Sequence, residues 1–239
     1  MNKQKIRYKL NKMASHVNIL DLDLSKLDLG KSGRTIKLLY NKAPLQLVTS
    51  KMYTPFGVKV HNNDYSSFTN CHIDSSLSQG ASSNSLTIAV ALDALDNRIV
   101  ELIKSKSNLF KDASDVDFCS DVSTYYSPFL KPNKTYPKLM KISLPRDKNG
   151  NFDFVLFDES KNKVPLDDKN IEEVLCKGRS FKGIIECSKL WYYKGKFGST
   201  WNLVQLRFSP KNSNADPDEE ESIGTIKQAN YTSNIMLDD

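Results

Sequence analysis

The sequence predicts a mainly β protein with one or two helices, its short strands closing into a small barrel with insertions. Three observations carry that prediction. Seven or eight short runs of β-forming residues follow one another at close spacing. Turn residues, chiefly Gly, Asn and Pro, separate them. Only Leu86–Ile103 sustains a helical period, with Leu92, Leu95, Ile99 and Ile103 recurring at spacings of three and four.

In chain order, residues 1–15 hold Lys3, Lys5, Arg7, Lys9 and Lys12 and no acid. Such an arm can grip phosphate, act as a nuclear address, or stay solvated without either role. Val17–Leu29 alternates leucines with aspartates and fits strand or helix. Gly30-Lys31-Ser32 matches the end of a phosphate loop, but the position five before Gly30 is Ser25 where that loop needs glycine, so the loop is excluded. Gly30 and Gly33 are read as a turn into a strand at Thr35–Tyr40.

Further strands are expected at Leu45–Lys51, Val58–His61 and Tyr65–Ile73, with a bend at Pro55–Gly57 and a turn at Asn62–Asp64. Ser75–Asn84 has the composition of a flexible loop. Asp112, Asp115, Asp117 and Asp121 lack the glycine and terminal glutamate of a calcium loop and read as solvated. Pro128, Pro132 and Pro137 keep the next stretch irregular. Leu139–Leu144 is a strand, Asp147–Gly150 a turn, and Phe152–Phe157 the expected hairpin partner. Asp168 is the expected cap of a short helix at Asn170–Leu175, which Gly178 ends.

The longest β-forming stretch, Phe181–Phe208, reads as a two-stranded hairpin with a cationic tip at Lys194–Gly198. On its second arm Val204, Leu206 and Phe208 look like the core face, opposite Trp201, Leu203, Gln205 and Arg207. Eight Lys or Arg against the single acid Glu186 lie between Lys177 and Lys211, together with both tryptophans. Cations can follow phosphates and flat rings can stack unpaired bases, the combination that suits a single-stranded nucleic acid. A ring in a strand is equally at home in a core. The candidate contacts are Trp191, Tyr193, Phe197 and Trp201 for stacking, and Lys182, Lys189, Lys194, Lys196 and Arg207 for phosphates. With that signal the small barrel becomes a five-stranded oligonucleotide-binding, OB-like barrel.

The 239 residues divide into a basic arm and lead-in (1–34), the OB-like domain (35–211) and an acidic tail (212–239). The tail sets seven acids against Lys227; the chain carries +6 and the tail −6, which leaves +12 on residues 1–211. No window approaches a membrane span and no secretory signal opens the chain, so an intracellular protein without a membrane partner is expected. Cys71, Cys119, Cys176 and Cys187 form no CxxC pair, and His16, His61 and His72 are scattered, so no metal and no cofactor is expected. Ser15–His16 and Cys71–His72 are sequence neighbours that a strand points to opposite faces, and Asp21/Asp23 and Asp153/Asp158 lack a pattern that assigns roles, so no enzyme is expected.

Thr54-Pro-Phe-Gly-Val58, Lys177-Gly178, Trp191, Lys196-Phe-Gly-Ser-Thr-Trp201 and the acidic C-terminus together resemble single-stranded DNA-binding proteins of large nucleocytoplasmic DNA viruses. Those are similar in plan to the OB-fold single-stranded DNA-binding proteins of short-tailed phages. The resemblance covers about residues 35–239. It implies sequence-independent binding of single-stranded DNA in viral replication, recombination or repair, in host cytoplasm or nucleus. It also implies a tail that competes with DNA and, once released, recruits a DNA polymerase or another replication protein. The phage proteins end in an aromatic residue, whereas this chain ends Ile235-Met-Leu-Asp-Asp239. Two alternatives stand beside it: a virion or scaffold protein making protein contacts, and an RNA-binding factor. A homo-oligomer is compatible with each.

Overall fold

The computed structural model describes residues 16–61, 68–77, 83–110, 121–131 and 138–209. The basic arm, Asp112, Asp115 and Asp117, the segment 132–137 and the acidic tail lie outside the described residues. The strands are β1 (His16–Asn18), β2 (Leu27–Ser32), β3 (Thr35–Tyr40), β4 (Ala43–Pro44), β5 (Gln46–Val48), β6 (Met52–Thr54), β7 (Val58–His61) and β8 (Asn70–Leu77). After helix α1 (Ser83–Ser105) and the single turn α2 (Asp121–Tyr125) come β9 (Tyr126–Ser127), β10 (Leu130–Lys131), β11 (Leu139–Leu144) and β12 (Val155–Phe157). Then follow the short helix α3 (Ile171–Val174), β13 (Arg179–Tyr193) and β14 (Lys196–Phe208).

Five of these strands close a ring. β6 pairs β8, β8 pairs β11, β11 pairs β14, β14 pairs β13, and β13 returns to β6. Numbered by position in the chain, the ring runs first, second, third, fifth, fourth and back to first. Its pairings are antiparallel except β11 with β14, which meet in parallel at Ser143 and Asn202. This is the five-stranded Greek-key plan of an OB barrel. β1 and β5, then β2 and β3, extend the same sheet beyond β13, so residues 16–34 are part of the sheet. β7 continues the line of β6 along β8 after an irregularity at Pro55–Gly57. There Gly57 has φ of +70°, and a Cβ on it would meet the Lys177 amide nitrogen at 2.9 Å.

The ring closes because its strands alternate correctly. On β11, Met140, Ile142 and Leu144 point inward; on β8, Cys71, Ile73 and Ser75 do, opposite them in register. The α1 face predicted from periodicity is buried through Ile88, Leu92, Leu95, Ile99 and Ile103. Ile88 and Leu92 stand against Met52, Leu77, Met140 and Ile185, so the helix covers the barrel's apolar filling. Each such side chain contributes about 1.5–3 kcal/mol of transfer free energy. The helix also carries a buried carboxylate, Asp96, which accepts from Tyr126 Oη (2.7 Å) and from the Phe129 amide (2.8 Å).

The structure corrects several local expectations. Ser75–Leu77, read as loop, finish β8; Ser75 is buried and its hydroxyl donates to the Tyr53 carbonyl (3.2 Å), which satisfies a polar residue in a strand. Phe152–Phe157 does not pair as a hairpin with β11. Only Arg146 and Phe152 bridge, after which β12 runs parallel to β14, where Leu156 and Phe157 are buried. Asp168 does not cap α3: it pairs with Arg146, while the Asp167 carboxylate accepts from the Lys169 and Asn170 amides. Gly30 lies within β2, and the turn it was assigned to is made by Ser32–Thr35 around Gly33, whose φ is +61°. On β14 the expected core residues Leu206 and Phe208 are buried, but so are Trp201 and Leu203, read as the opposite face, while Val204 is half-buried; the register shift there, with Ile184 on Gln205 and Ile185 on Leu203, leaves Val204 as the extra residue and switches the face.

Candidate nucleic-acid interface

The hairpin is present as β13 and β14, joined by Lys194 and Gly195, both with positive φ (48° and 78°). Irregularities at Ile184/Ile185 and Cys187/Lys189 shift its register, so faces cannot be counted straight through. Once the shifts are included, one outward face carries four cross-strand pairs: Glu186 with Asn202, Lys189 with Thr200, Trp191 with Gly198, and Tyr193 with Lys196. The opposite face carries Cys187 with Trp201, Leu190 with Ser199 and Tyr192 with Phe197, and it turns into the core.

This division sorts the candidate contacts. Lys189, Tyr193, Lys194 and Lys196 are exposed and Trp191 is half-buried, all at or near the tip. The Lys194 ammonium lies 5.3 Å from the centre of the Tyr193 ring. Trp191 covers Gly198: a Cβ there would stand 2.3 Å from the indole Cζ2. Phe197 and Trp201 are corrections, since both are buried; Phe197 packs against Phe110 and Tyr192, and Trp201 lies 4.5 Å from Phe129 with its indole N–H donating to Ser199 Oγ. Neither ring is available to a ligand, because each fills the barrel from the inward face. Arg207 is a further correction, at 2 % exposure. It pairs in register with the half-buried Lys182 at the end of the hairpin away from the tip, where β12 flanks β14 and Phe208 lies beneath the Arg179 guanidinium (3.6 Å).

Outward from Asn202 the face continues onto residues that the linear sequence did not single out. Asn202 pairs Ser143 on β11, Ser143 pairs His72 on β8, and His72 pairs Lys59 on β7. In the other direction Glu186 pairs Gln46, which pairs His16. Partners in register share a face, so a polar row, His16–Gln46–Glu186–Asn202–Ser143–His72–Lys59, crosses seven strands. Gln46 Nε2 donates to Glu186 (2.8 Å), and Lys37 lies 4.0 Å from the same carboxylate.

At the β7–β8–β11 end the row forms the floor of a cleft of about 510 Å³, lined by His61, Phe68, Asn70, His72, Lys141, Ser143, Arg146 and Asn202 among others. The His61 and His72 rings stack at 4.8 Å with planes 5° apart. Burial, and next the Lys141 cation, push the His72 pKa down to about 4 against the pull of Asp74, so its ring is neutral near pH 7. Phe68 seats on Gly150, whose φ of +89° and lack of a Cβ both matter: a Cβ would meet the ring at 2.3 Å. Lys59 pairs with Asp74 (2.6 Å) and lies over the exposed Phe56 ring (4.9 Å). Arg146 is structural, donating to the Thr69 and Gly150 carbonyls and pairing with Asp168. Lys141 is exposed and makes no ion pair among the described residues.

The arrangement offers an outward surface with cations and rings at both ends: Lys59, Lys141, His61 and Phe68 at one, where His61 covers the buried His72, and Lys189, Trp191, Tyr193, Lys194 and Lys196 at the other. Signals for the missed half were present as the outward residues of two alternating strands, Lys141 and Ser143 on one, Asn70, His72 and Asp74 on the other. Alternation marks a residue as outward without saying which outward residues meet.

No family model matches the chain, and no curated protein sequence matches it. Among solved structures it is similar to the single-stranded DNA-binding protein of bacteriophage Enc34 in complex with single-stranded DNA, at TM-score 0.43 and 13 % identity over 77 % of this chain and 94 % of that one. It is also similar to gp2.5, a single-stranded DNA-binding protein of bacteriophage T7, at TM-score 0.45 and 12 % identity over 78 % of this chain and all of that one.

Proposed function

We propose that this chain binds single-stranded DNA, largely without regard to sequence, across the outward face that joins the β7–β8–β11 cleft to the β13–β14 tip. The observation that supports this most is the placing of a half-exposed Trp191 and an exposed Tyr193 on the same side as Lys189, Lys196 and Asn202. Rings on which bases stack and cations that follow phosphates then lie along one path, the combination that single-stranded nucleic acids require. The face of the barrel's second and third strands is also where OB folds commonly take oligonucleotides.

In this reading the protein serves viral DNA replication, recombination or repair in the host cytoplasm or nucleus. The acidic tail 212–239 competes with DNA for the cationic face and, when displaced, recruits a DNA polymerase or another replication protein. No catalytic step is part of the proposal.

Fluorescence anisotropy tests it, with labelled oligo-dT, a duplex and an RNA of equal length across a salt series. Tight binding to oligo-dT that weakens steeply with salt, with duplex and RNA weaker, is the expected result. Folded protein that binds none of them at low salt, with or without residues 212–239, overturns it.

A further inference from the structure

We propose that the cleft beside Asn202 seats one unstacked base and reads its edge, which gives an otherwise sequence-tolerant surface a single subsite that prefers adenine. The inference rests on the single-stranded DNA reading and deepens it.

The cleft differs from the rest of the face in its chemistry. Its floor is the Asn202–Ser143–His72 part of the polar row, and Asn70 lies two residues from His72 on the same side of β8. The side chains of Asn70, Ser143 and Asn202 make no hydrogen bond among the described residues. Their neighbours are engaged: Arg146 is held by two carbonyls and Asp168, and Lys59 by Asp74. Two carboxamides and a hydroxyl thus face one cleft with their capacity unspent.

The walls favour a base over a phosphate. The exposed His61 ring, stacked on the buried His72, and Phe68 present aromatic surface there, and Lys141, two residues from Ser143 on the same face of β11, can meet the phosphate beside a seated base. The volume, about 510 Å³, leaves room for a nucleotide with its sugar.

A carboxamide presents an acceptor and a donor side by side in one plane, which matches N6–H and N7 of adenine. Asn202 is the better placed of the two: it is half-buried in the middle of a paired strand, whereas Asn70 is exposed at the start of β8. One bidentate pair of this kind is worth roughly ten-fold in affinity between the right and the wrong base.

The test compares labelled oligo-dT with oligo-dT of the same length carrying one internal adenine, cytosine or guanine, bound by the wild-type chain and by Asn202→Ala. The expected result is that the single adenine tightens wild-type binding roughly ten-fold. Asn202→Ala is expected to lose that gain, binding the adenine-bearing oligonucleotide no more tightly than it binds plain oligo-dT. Equal affinity for all four oligonucleotides, a preference for another base, or an adenine gain that survives in Asn202→Ala overturns the proposal and leaves the single-stranded DNA reading intact. Absence of binding to every oligonucleotide by folded protein overturns both. If Asn202→Ala does not fold, Ser143→Ala and Asn70→Ala replace it: loss of part of the adenine gain in either supports the proposal, and no change in both overturns it.

Discussion

Trp191 lies over Gly198 on the neighbouring strand, so closely that a Cβ on the glycine would stand 2.3 Å from the indole. The glycine lets a large ring settle along the outward face of the hairpin, half-buried, instead of standing away from it. Trp201, in the opposite face of the same strand, is 1 % exposed. The chain's two tryptophans therefore have different jobs although eleven residues of one hairpin contain both.

That contrast is testable by truncation. Trp201→Ala should cost about 3–5 kcal/mol of stability, as expected for a large buried ring. Trp191→Ala should leave the chain folded and weaken oligo-dT binding by about 1–3 kcal/mol, the worth of one stacked base. Gly198→Ala should displace the indole and shift Trp fluorescence. Urea melts and anisotropy on the three variants check this; a Trp191→Ala protein that unfolds assigns that ring to the core.

The salt dependence of binding separates the two ends of the hairpin. Lys189→Ala, Lys196→Ala and Lys141→Ala should each lower the slope of log affinity against log salt by about 0.7, one single-strand phosphate contact apiece. Lys182→Ala should leave the slope unchanged, because Lys182 sits beside Arg207 away from the tip. Equal effects from all four would mean that the cations act through net charge alone.

Deleting residues 212–239 should tighten oligo-dT binding at low salt if the tail competes for the cationic face. Unchanged affinity there would make the tail a bystander to binding.

Asp96 sets a pH dependence of stability. Burial raises its carboxyl to about 6 from an ordinary 3.8, despite the hydrogen bonds from Tyr126 and Phe129. The folded chain then holds a proton that the unfolded chain releases between those values. The contribution is full below about pH 4, is lost as pH rises toward 6, and amounts to roughly 3 kcal/mol. Urea titrations of wild type and Asp96→Asn should diverge over that window; a constant difference between them would contradict the assignment.

His72 works with the opposite sign. Its folded pKa of about 4 lies below the ordinary 6.5, so its contribution is full above pH 6.5 and is lost as pH falls toward 4. An NMR titration of its ring in the free protein should show a midpoint near 4. Bound oligo-dT should raise that midpoint by bringing phosphates beside it; a midpoint already near 6.5 without DNA would show that the ring is not held neutral.

Legible in the sequence were the strand-rich class, the α1 period, the long hairpin with a tip within Lys194–Gly198, which the structure narrows to Lys194–Gly195, and the charge asymmetry between body and tail. Those follow from local rules: alternation, the 3.6-residue period, and the positive φ that a tight turn needs. The fold alone settles which rings are core and which face out, because alternation from the Lys194–Gly195 turn puts Trp191 and Trp201 on opposite faces without saying which of the two meets the core. It alone brought Lys59, His72, Ser143 and Asn202 into one row, since that row is written across strands far apart in the chain and is joined only by the closure of the ring. Arg207 shows the same limit from the other side: its position near the hairpin's end reads as a surface cation, and β12, arriving in parallel from a distant segment, is what flanks its strand.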